Sequence, residues 1–244
     1  MKICAVYGTE RKGCTWHIAR EVLSRLPEAE VTEFFLPQDC PECCISCFRC
    51  FNEENHCYYS AGARTILAAM LDADVILLTS PVYALHLTGQ MKTFLDHYAC
   101  TWMVHKPNGE MFGKQGVVIA SASGPVYRAA LREMKDSLDF WGVAHTYKLG
   151  FTLMEISWDR LSPKLKRKIS RQAERTAAKL RRGVPGPGLK TRCLFYAMRL
   201  AQKYIWRDSP DAGWWRSHGW LDRERPWKST GAAPRRDGKR KDTP

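Results

Sequence analysis

The chain has 244 residues, 45% of them apolar, and a formal net charge of +13. That length and apolar share suffice for one full hydrophobic core plus an appendage, and the lack of any run of about 18 apolar residues excludes a transmembrane helix. Charge is split along the chain: residues 1–159 carry 14 Lys and Arg against 18 Asp and Glu, while residues 160–244 carry 24 against 7, so the basic character belongs to a C-terminal appendage.

The opening residues Met1 to Gly8 read as a buried strand entering a glycine turn, without the longer apolar region and small-residue cleavage site of a signal peptide. A cytoplasmic location is therefore expected. In that reducing compartment ten cysteines point to metal, cluster or redox work over a structural disulfide framework.

Taken in chain order, residues 2–7 are predicted as a strand and 15–26 as a helix with Trp16, Ala19, Val22, Leu23 and Leu26 on one face. A second strand at 31–36 leads into the cysteine-rich loop 40–57. Residues 63–71 are helical, 74–79 form a continuously apolar central strand, 91–99 a helix, 116–120 another central strand, 126–141 a helix and 145–152 the last strand. This alternation implies an α/β fold, a doubly wound parallel five-stranded sheet with right-handed crossovers and strand order 2-1-3-4-5.

Ser162-Pro163 then starts a helix, with Ser as N-cap and Pro at the first helical position. It runs to about Arg182 and packs on the sheet through Leu165, Ile169, Ala173 and Leu180. The expected organisation is a domain at 1–182, a Gly/Pro linker at 183–188, an amphipathic, Trp-rich extension at 189–228 and a disordered basic tail at 229–244. In the extension, residues 189–206 are helical, with Leu189, Cys193, Tyr196, Ala197, Leu200, Tyr204 and Ile205 as one apolar stripe. Such a helix can lie on an anionic membrane surface or cap the domain or a dimer partner, and capping is the expectation. No nucleic-acid-binding motif accompanies the charge.

Three stretches carry the chemistry. The loop Gly8 to Thr15 joins the first strand to the first helix at the carboxyl edge of the sheet, where backbone N–H groups, hydroxyls and the helix N-terminus suit a phosphate. It lacks the G-x-x-x-x-G-K-[ST] pattern of a nucleoside triphosphate site, and alone it is equally an ordinary βα turn. Cys44, Cys47, Cys50 and Cys57 are spaced C-x2-C-x2-C-x6-C. Four such thiols can converge on an iron–sulfur cluster or a tetrahedral metal. Zinc, free thiols and a redox disulfide stay open as competitors, and Cys40 and Cys43 offer alternative ligands. Cys4, Cys100 and Cys193 are expected to be buried thiols, and His86 and His97 surface or packing residues. Neither a Ser-His-Asp order nor paired carboxylates stand out, which excludes hydrolase readings.

Gly8 to Thr15, then Ser80-Pro81-Val82-Tyr83, then Gly89-x-Met91-Lys92-x-Phe94-Leu95-Asp96 resemble, in that order, the NADPH-dependent FMN reductase branch of the flavodoxin-like proteins. With the cysteine run included, the chain is most similar to iron–sulfur flavoproteins over roughly residues 1–155. The resemblance implies a flavodoxin-like domain in which Thr9, Arg11, Gly13, Cys14 and Thr15 bind the phosphate of FMN. Relatives often carry Ser at position 9 and Asn at 14. It places Pro81, Val82 and Tyr83 against the isoalloxazine ring, with Ser121, Ser123 and Gly124 as the third loop on its pyrimidine side. It makes Cys44, Cys47, Cys50 and Cys57 ligands of a [4Fe-4S] cluster. Some relatives also end in a Trp-x3-Gly-Trp stretch resembling Trp215 to Trp220. The implied activity is that of an enzyme, an FMN-dependent NAD(P)H oxidoreductase passing electrons to a small acceptor or through the cluster. No catalytic side chain is needed, because the flavin performs the chemistry. A non-enzymatic electron carrier and a thiol or metal redox sensor are the alternatives. Expected partners are NAD(P)H, a small-molecule or protein electron acceptor and further copies of the chain in a homo-oligomer.

Overall fold

The computed structural model describes residues 1–52 and 55–229. Five strands, β1 (Lys2–Tyr7), β2 (Glu30–Phe35), β3 (Val75–Pro81), β4 (Gln115–Ala122) and β5 (His145–Thr152), form one all-parallel sheet in the order β2-β1-β3-β4-β5. This is the flavodoxin-like arrangement. β1, β3 and β4 occupy the centre and are buried almost throughout, while β2 at the edge is half-buried. The register pairs Cys4 with Ile76, Leu78 with Val118 and Ile119 with Leu149. It brings Gly8, Pro81 and Ala122 to the same rim.

The helices are α1 (Cys14–Leu23), α2 (Arg49–Asn52), α3 (Ala61–Asp72), α4 (Gly89–Asp96), α5 (Arg128–Trp141), α6 (Pro163–Arg182), α7 (Leu189–Leu200), α8 (Pro210–Ser217) and α9 (Pro226–Ser229). Side chains alternate across the sheet. Ile3, Ala5, Leu77, Val117 and Ile119 meet Ile18, Val22, Ile169, Ala173 and Ala177 of α1 and α6 on one face. Cys4, Val6, Ile76, Leu78 and Val118 meet Ile66, Met70, Phe94, Met134 and Leu138 of α3, α4 and α5 on the other. Side-chain oxygens of Ser60, Thr88 and Ser162 cap α3, α4 and α6 by accepting from Ala63, Met91 and Leu165 N–H at 3.0, 3.2 and 3.3 Å. The Thr88 cap explains why α4 begins at Gly89, earlier than the apolar period suggests.

Beyond α6, Gly183 (φ 66°) and Gly186 (φ 126°) use left-handed backbone to turn the chain toward a second, aromatic core. Met103, Phe112, Phe195, Trp215, Trp220 and Leu221 are buried together, with Trp227 against them. The extension grips the segment between α4 and β4 by its backbone. Trp215 Nε1 donates to His105 O at 2.8 Å, Trp214 Nε1 to Pro107 O at 3.1 Å and Gln202 Nε2 to Val104 O at 2.7 Å.

Two expectations change here. The single helix predicted over 189–206 is α-helical only to Leu200 and continues as a π-helical turn, Ala201–Ile205. Its packed face is not the predicted stripe. Thr191, Phe195, Ala201 and Gln202 are buried, while Leu189, Cys193, Tyr196, Ala197, Leu200, Tyr204 and Ile205 face outward. The helix is apolar on two faces, and the aromatic cluster takes the one bearing Phe195 and Met198. Cys193 is accordingly exposed, not buried as expected. Apart from residue 229, which ends α9, the segment 229–244 expected to be a disordered tail lies outside the described residues.

Candidate functional site

At the carboxyl rim, Gly8 N–H donates to Thr79 O and Thr88 Oγ1 donates to Gly8 O, both at 2.7 Å. A Cβ on Gly8 would lie 2.9 Å from each of Thr79 O and Thr88 Oγ1, closer than side chains tolerate, so the first loop depends on glycine there. Thr9 Oγ1 accepts from Arg11 N–H at 3.2 Å, and Gly13 N–H donates to Arg11 O at 2.8 Å, folding the loop tightly. α1 then begins with neither a side-chain cap nor an acidic residue in its first turn. Its leading N–H groups and positive dipole end are left for an anion. Burial pushes the Cys14 thiol up from its ordinary value, so it stays neutral beside that anion.

Thr15 and Ser121 hydroxyls lie 2.6 Å apart and join the first loop to the end of β4. Arg11 reaches across to Ile156 O at 3.2 Å. The middle loop is fixed by Val82 N–H donating to Ser121 O at 2.9 Å and by Tyr83 and His86 exchanging backbone hydrogen bonds at 3.0 Å. That exchange closes a two-residue turn with Ala84 at φ 46° and Leu85 at φ 74°. Left-handed backbone at residues with a Cβ costs on the order of 1 kcal/mol each, strain of a kind that collects at ligand rims. Tyr83, Leu85, Met154 and Ile156 are exposed around the opening.

These loops enclose a pocket of about 140 Å³. Thr9, Arg11, Gly13, Cys14, Thr15, Pro81, Val82, Tyr83, Ser121 and Ser123, named from the sequence, all line it. Gly124 does not. Its carbonyl accepts from Thr152 Oγ1 at 3.3 Å behind the loop. Leu153, Glu155 and Ile156 also line the pocket and were missed. They follow β5 at the same rim, so the strand order alone could have pointed to them.

Cys44, Cys47, Cys50 and Cys57 line a second cavity of about 260 Å³, walled by Phe48, Phe51, Tyr58 and Tyr59. The loop holds them in one place without converging them. Among the described residues no group of three or more His, Cys, Asp or Glu is gathered closely enough to hold a metal. Cys43, Cys44 and Cys47 are exposed, while Cys57 is buried. Ile45 and Phe48, the apolar residues interleaved with these cysteines, are also exposed. Cys57 Sγ accepts from Ser60 N–H at 3.4 Å and lies 3.3 Å from Nδ1 of buried His97, whose Nε2 sits 2.8 Å from Glu42 O. The carbonyl accepts a hydrogen bond from Nε2–H, which leaves Nδ1 of the uncharged ring as an acceptor facing the Cys57 thiol. His97 therefore belongs to the thiol cavity. His86 is exposed and pairs with Glu133 at 2.9 Å.

The neighbouring Cys100 thiol favours the Cys50 thiolate, and this, with Lys106 nearby, outweighs burial and brings the Cys50 thiol down to about 7; the Cys100 thiol is pushed up. Since the thiolate is the reacting form, Cys50 in metal-free protein is expected to be the most readily alkylated thiol at neutral pH. Its iodoacetamide rate should rise through pH 7 and level off above it. Cys100→Ala removes that neighbouring thiol and should move the inflection toward the ordinary thiol value. Peptide-resolved alkylation rates against pH check both.

A parallel sheet of this order, with three loops converging on a phosphate-sized pocket at its carboxyl rim, defines a flavodoxin-like nucleotide-binding domain. The chain belongs to the NADPH-dependent FMN reductase family, whose sequence profile matches residues 1–154. Two iron–sulfur flavoproteins of Methanocaldococcus jannaschii are similar to it. One is 27% identical over 122 residues, covering 49% of this chain and 61% of the relative; the other is 33% identical over 99 residues, covering 39% and 51%. The chain thus spans about half to three-fifths of the length of these two relatives. Among solved structures, an FMN-dependent NADH-azoreductase from Bacillus anthracis in complex with FMN shares the fold at TM-score 0.55, 12% identity and coverage of 74% of this chain and 99% of that one.

Proposed function

We propose that the chain is a cytoplasmic, homo-oligomeric FMN-dependent NAD(P)H oxidoreductase that delivers electrons to a small, flat acceptor of quinone-like or other aromatic type. The observation that carries this reading is the uncapped start of α1, opening with Thr9, Arg11 and Thr15 into a pocket continuous with Pro81, Val82 and Tyr83. FMN, when bound there, supplies the hydride chemistry. The residues present fit it. Thr9 and Thr15 hydroxyls and first-turn N–H groups are donors for a phosphate, and neutral Cys14 adds no opposing charge. Arg11 is held over the pocket by Ile156 O. The Ala84–Leu85 turn holds Tyr83 on the pocket wall as a face for a planar ring. No side chain has to carry a proton. A relative from Herminiimonas arsenicoxydans, 36% identical over 70 residues, which cover 27% of this chain and 34% of that one, is named an FMN-dependent NADH:quinone oxidoreductase, which supports the acceptor class.

Reconstitution with FMN, followed by flavin fluorescence, should show retention at micromolar protein. NADPH or NADH under argon should then bleach the flavin as fast as a quinone is turned over. Failure to retain FMN overturns the reading. Bleaching far slower than turnover by a protein donor favours the electron-carrier alternative.

A second cofactor is favoured by the grouping of Cys44, Cys47, Cys50 and Cys57 on one cavity and by the names of the archaeal relatives. We propose that the loop closes on a [4Fe-4S] cluster with these ligands, Cys50 leaving Cys100 to do so. Anaerobic reconstitution should give about four irons per chain in the wild type and fewer in Cys50→Ala, with FMN content equal in both. Iron content unaffected by the substitution rejects the ligand set, and no iron in either protein leaves a thiol redox site.

A further inference from the structure

We propose that the outer face of α7 and the π-helical turn docks on an anionic phospholipid bilayer, lying in the plane of the interface. The helix has two apolar faces, and the aromatic core satisfies only one. On the other, Leu189 is 80% exposed, Leu200 55%, Tyr204 67% and Ile205 73%, with Cys193, Tyr196 and Trp206 also exposed. Leu189, Cys193, Tyr196 and Leu200 follow the i, i+4, i+7, i+11 spacing of one helical row. The π-helical turn brings Tyr204 onto the continuation of that row. A contiguous apolar face of this size is rare on a protein surface that contacts only water.

Charge identifies what covers it. Residues 189–207 contain Lys190, Arg192, Arg199, Lys203 and Arg207 and no carboxylate. Lys190 is bound to Asp139, Arg199 to the Trp220 and Leu221 carbonyls, and Arg207 to Asp208. Arg192, Lys203 and nearby Arg225 have no carboxylate partner among the described residues. Arg192 Nε donates to Pro187 O at 2.9 Å and Arg225 Nη1 to the Asp222 and Glu224 carbonyls, and all three cations lie over an aromatic ring. Lys203 Nζ is 5.8 Å from the Tyr204 centroid, Arg225 5.2 Å from that of Tyr196, and Arg192 5.7 Å from that of Trp227. Cationic heads beside aromatic rings and a leucine row match the headgroup boundary, where apolar side chains enter the acyl edge and cations meet phosphate. A second copy fits poorly, because a two-fold contact through this face would set the Arg192, Lys203 and Arg225 cations of one copy, which lack carboxylate partners among the described residues, against those of the other. Among the described residues no helix is long and apolar enough to cross a membrane, so the contact is peripheral.

The experiment is sedimentation of the full chain with vesicles of phosphatidylcholine plus phosphatidylglycerol, and with phosphatidylcholine alone. Binding is expected to the anionic vesicles only and should weaken as salt rises. Leu200→Glu combined with Tyr204→Glu should lower it roughly tenfold or more, while thermal stability and FMN content stay unchanged because both side chains already face water. Equal binding to neutral and anionic vesicles overturns the proposal, as does full binding by the double variant, which would assign lipid contact to another basic segment. Analytical ultracentrifugation supplies the remaining arm. An oligomer dissociated by the double variant assigns the face to self-association and also overturns it.

Discussion

Trp215→Ala is expected to cost about 3–5 kcal/mol of stability, the range for emptying a buried aromatic site. Trp215 is fully buried among Phe195, Trp220 and Met103, and its indole N–H holds His105 O at 2.8 Å. The loss extends past the extension, because residues 105–108 also support the cysteine loop. The Phe51 ring packs edge-on to His105 at 4.7 Å, and Asn55 Nδ2 donates to Lys106 O at 3.0 Å and to Asn108 Oδ1 at 2.8 Å. Thermal unfolding should show a lowered midpoint, and hydrogen exchange should show faster opening at 99–113 and in the cysteine loop. The loops at the flavin pocket should exchange as before. A variant that loosens only residues 189–229 would mean the extension is an appendage with no hold on the thiol cavity.

Gly8→Val should weaken FMN binding by about 10- to 100-fold, on the usual overpacking cost of about 1–3 kcal/mol and tenfold per 1.4 kcal/mol. The added Cβ lies 2.9 Å from Thr79 O and Thr88 Oγ1 and 3.3 Å from Met91 Cβ. Two of these are backbone or helix-cap positions that cannot yield without moving the loop. Flavin fluorescence titration measures the loss. Circular dichroism separates it from unfolding, and Gly8→Ala should show the same change to a lesser degree. Undiminished affinity in the valine variant would place the flavin phosphate elsewhere.

The sheet was legible because its central strands are short, continuously apolar runs. Residues 74–79 and 116–120 read as buried parallel strands, and β1 and β5 match their expected bounds. The pocket was legible where loops carry motif-like residues, as at Gly8 to Thr15 and Pro81 to Tyr83. It was not legible at Leu153, Glu155 and Ile156, because a rim position reached by topology leaves no pattern in the local sequence. The outward stripe of α7 was visible as a stripe, but which of two apolar faces packs is decided by Trp215, Trp220 and Phe112, far away in sequence. His97 was read only as a surface or packing residue for a related reason. Its meaning comes from Cys57 and Glu42, 40 and 55 positions earlier.

α4 touches both cavities. Its cap, Thr88, donates to Gly8 O beneath the flavin pocket, and His97, directly after its last turn, faces Cys57. Its eight residues make a rod about 12 Å long at 1.5 Å per residue, so the spacing of the two cavities is built into the count of amino acids. Inserting one alanine there would swing His97 by about 100° and lengthen the gap. Each cavity would keep its own walls while the spacing between them changed.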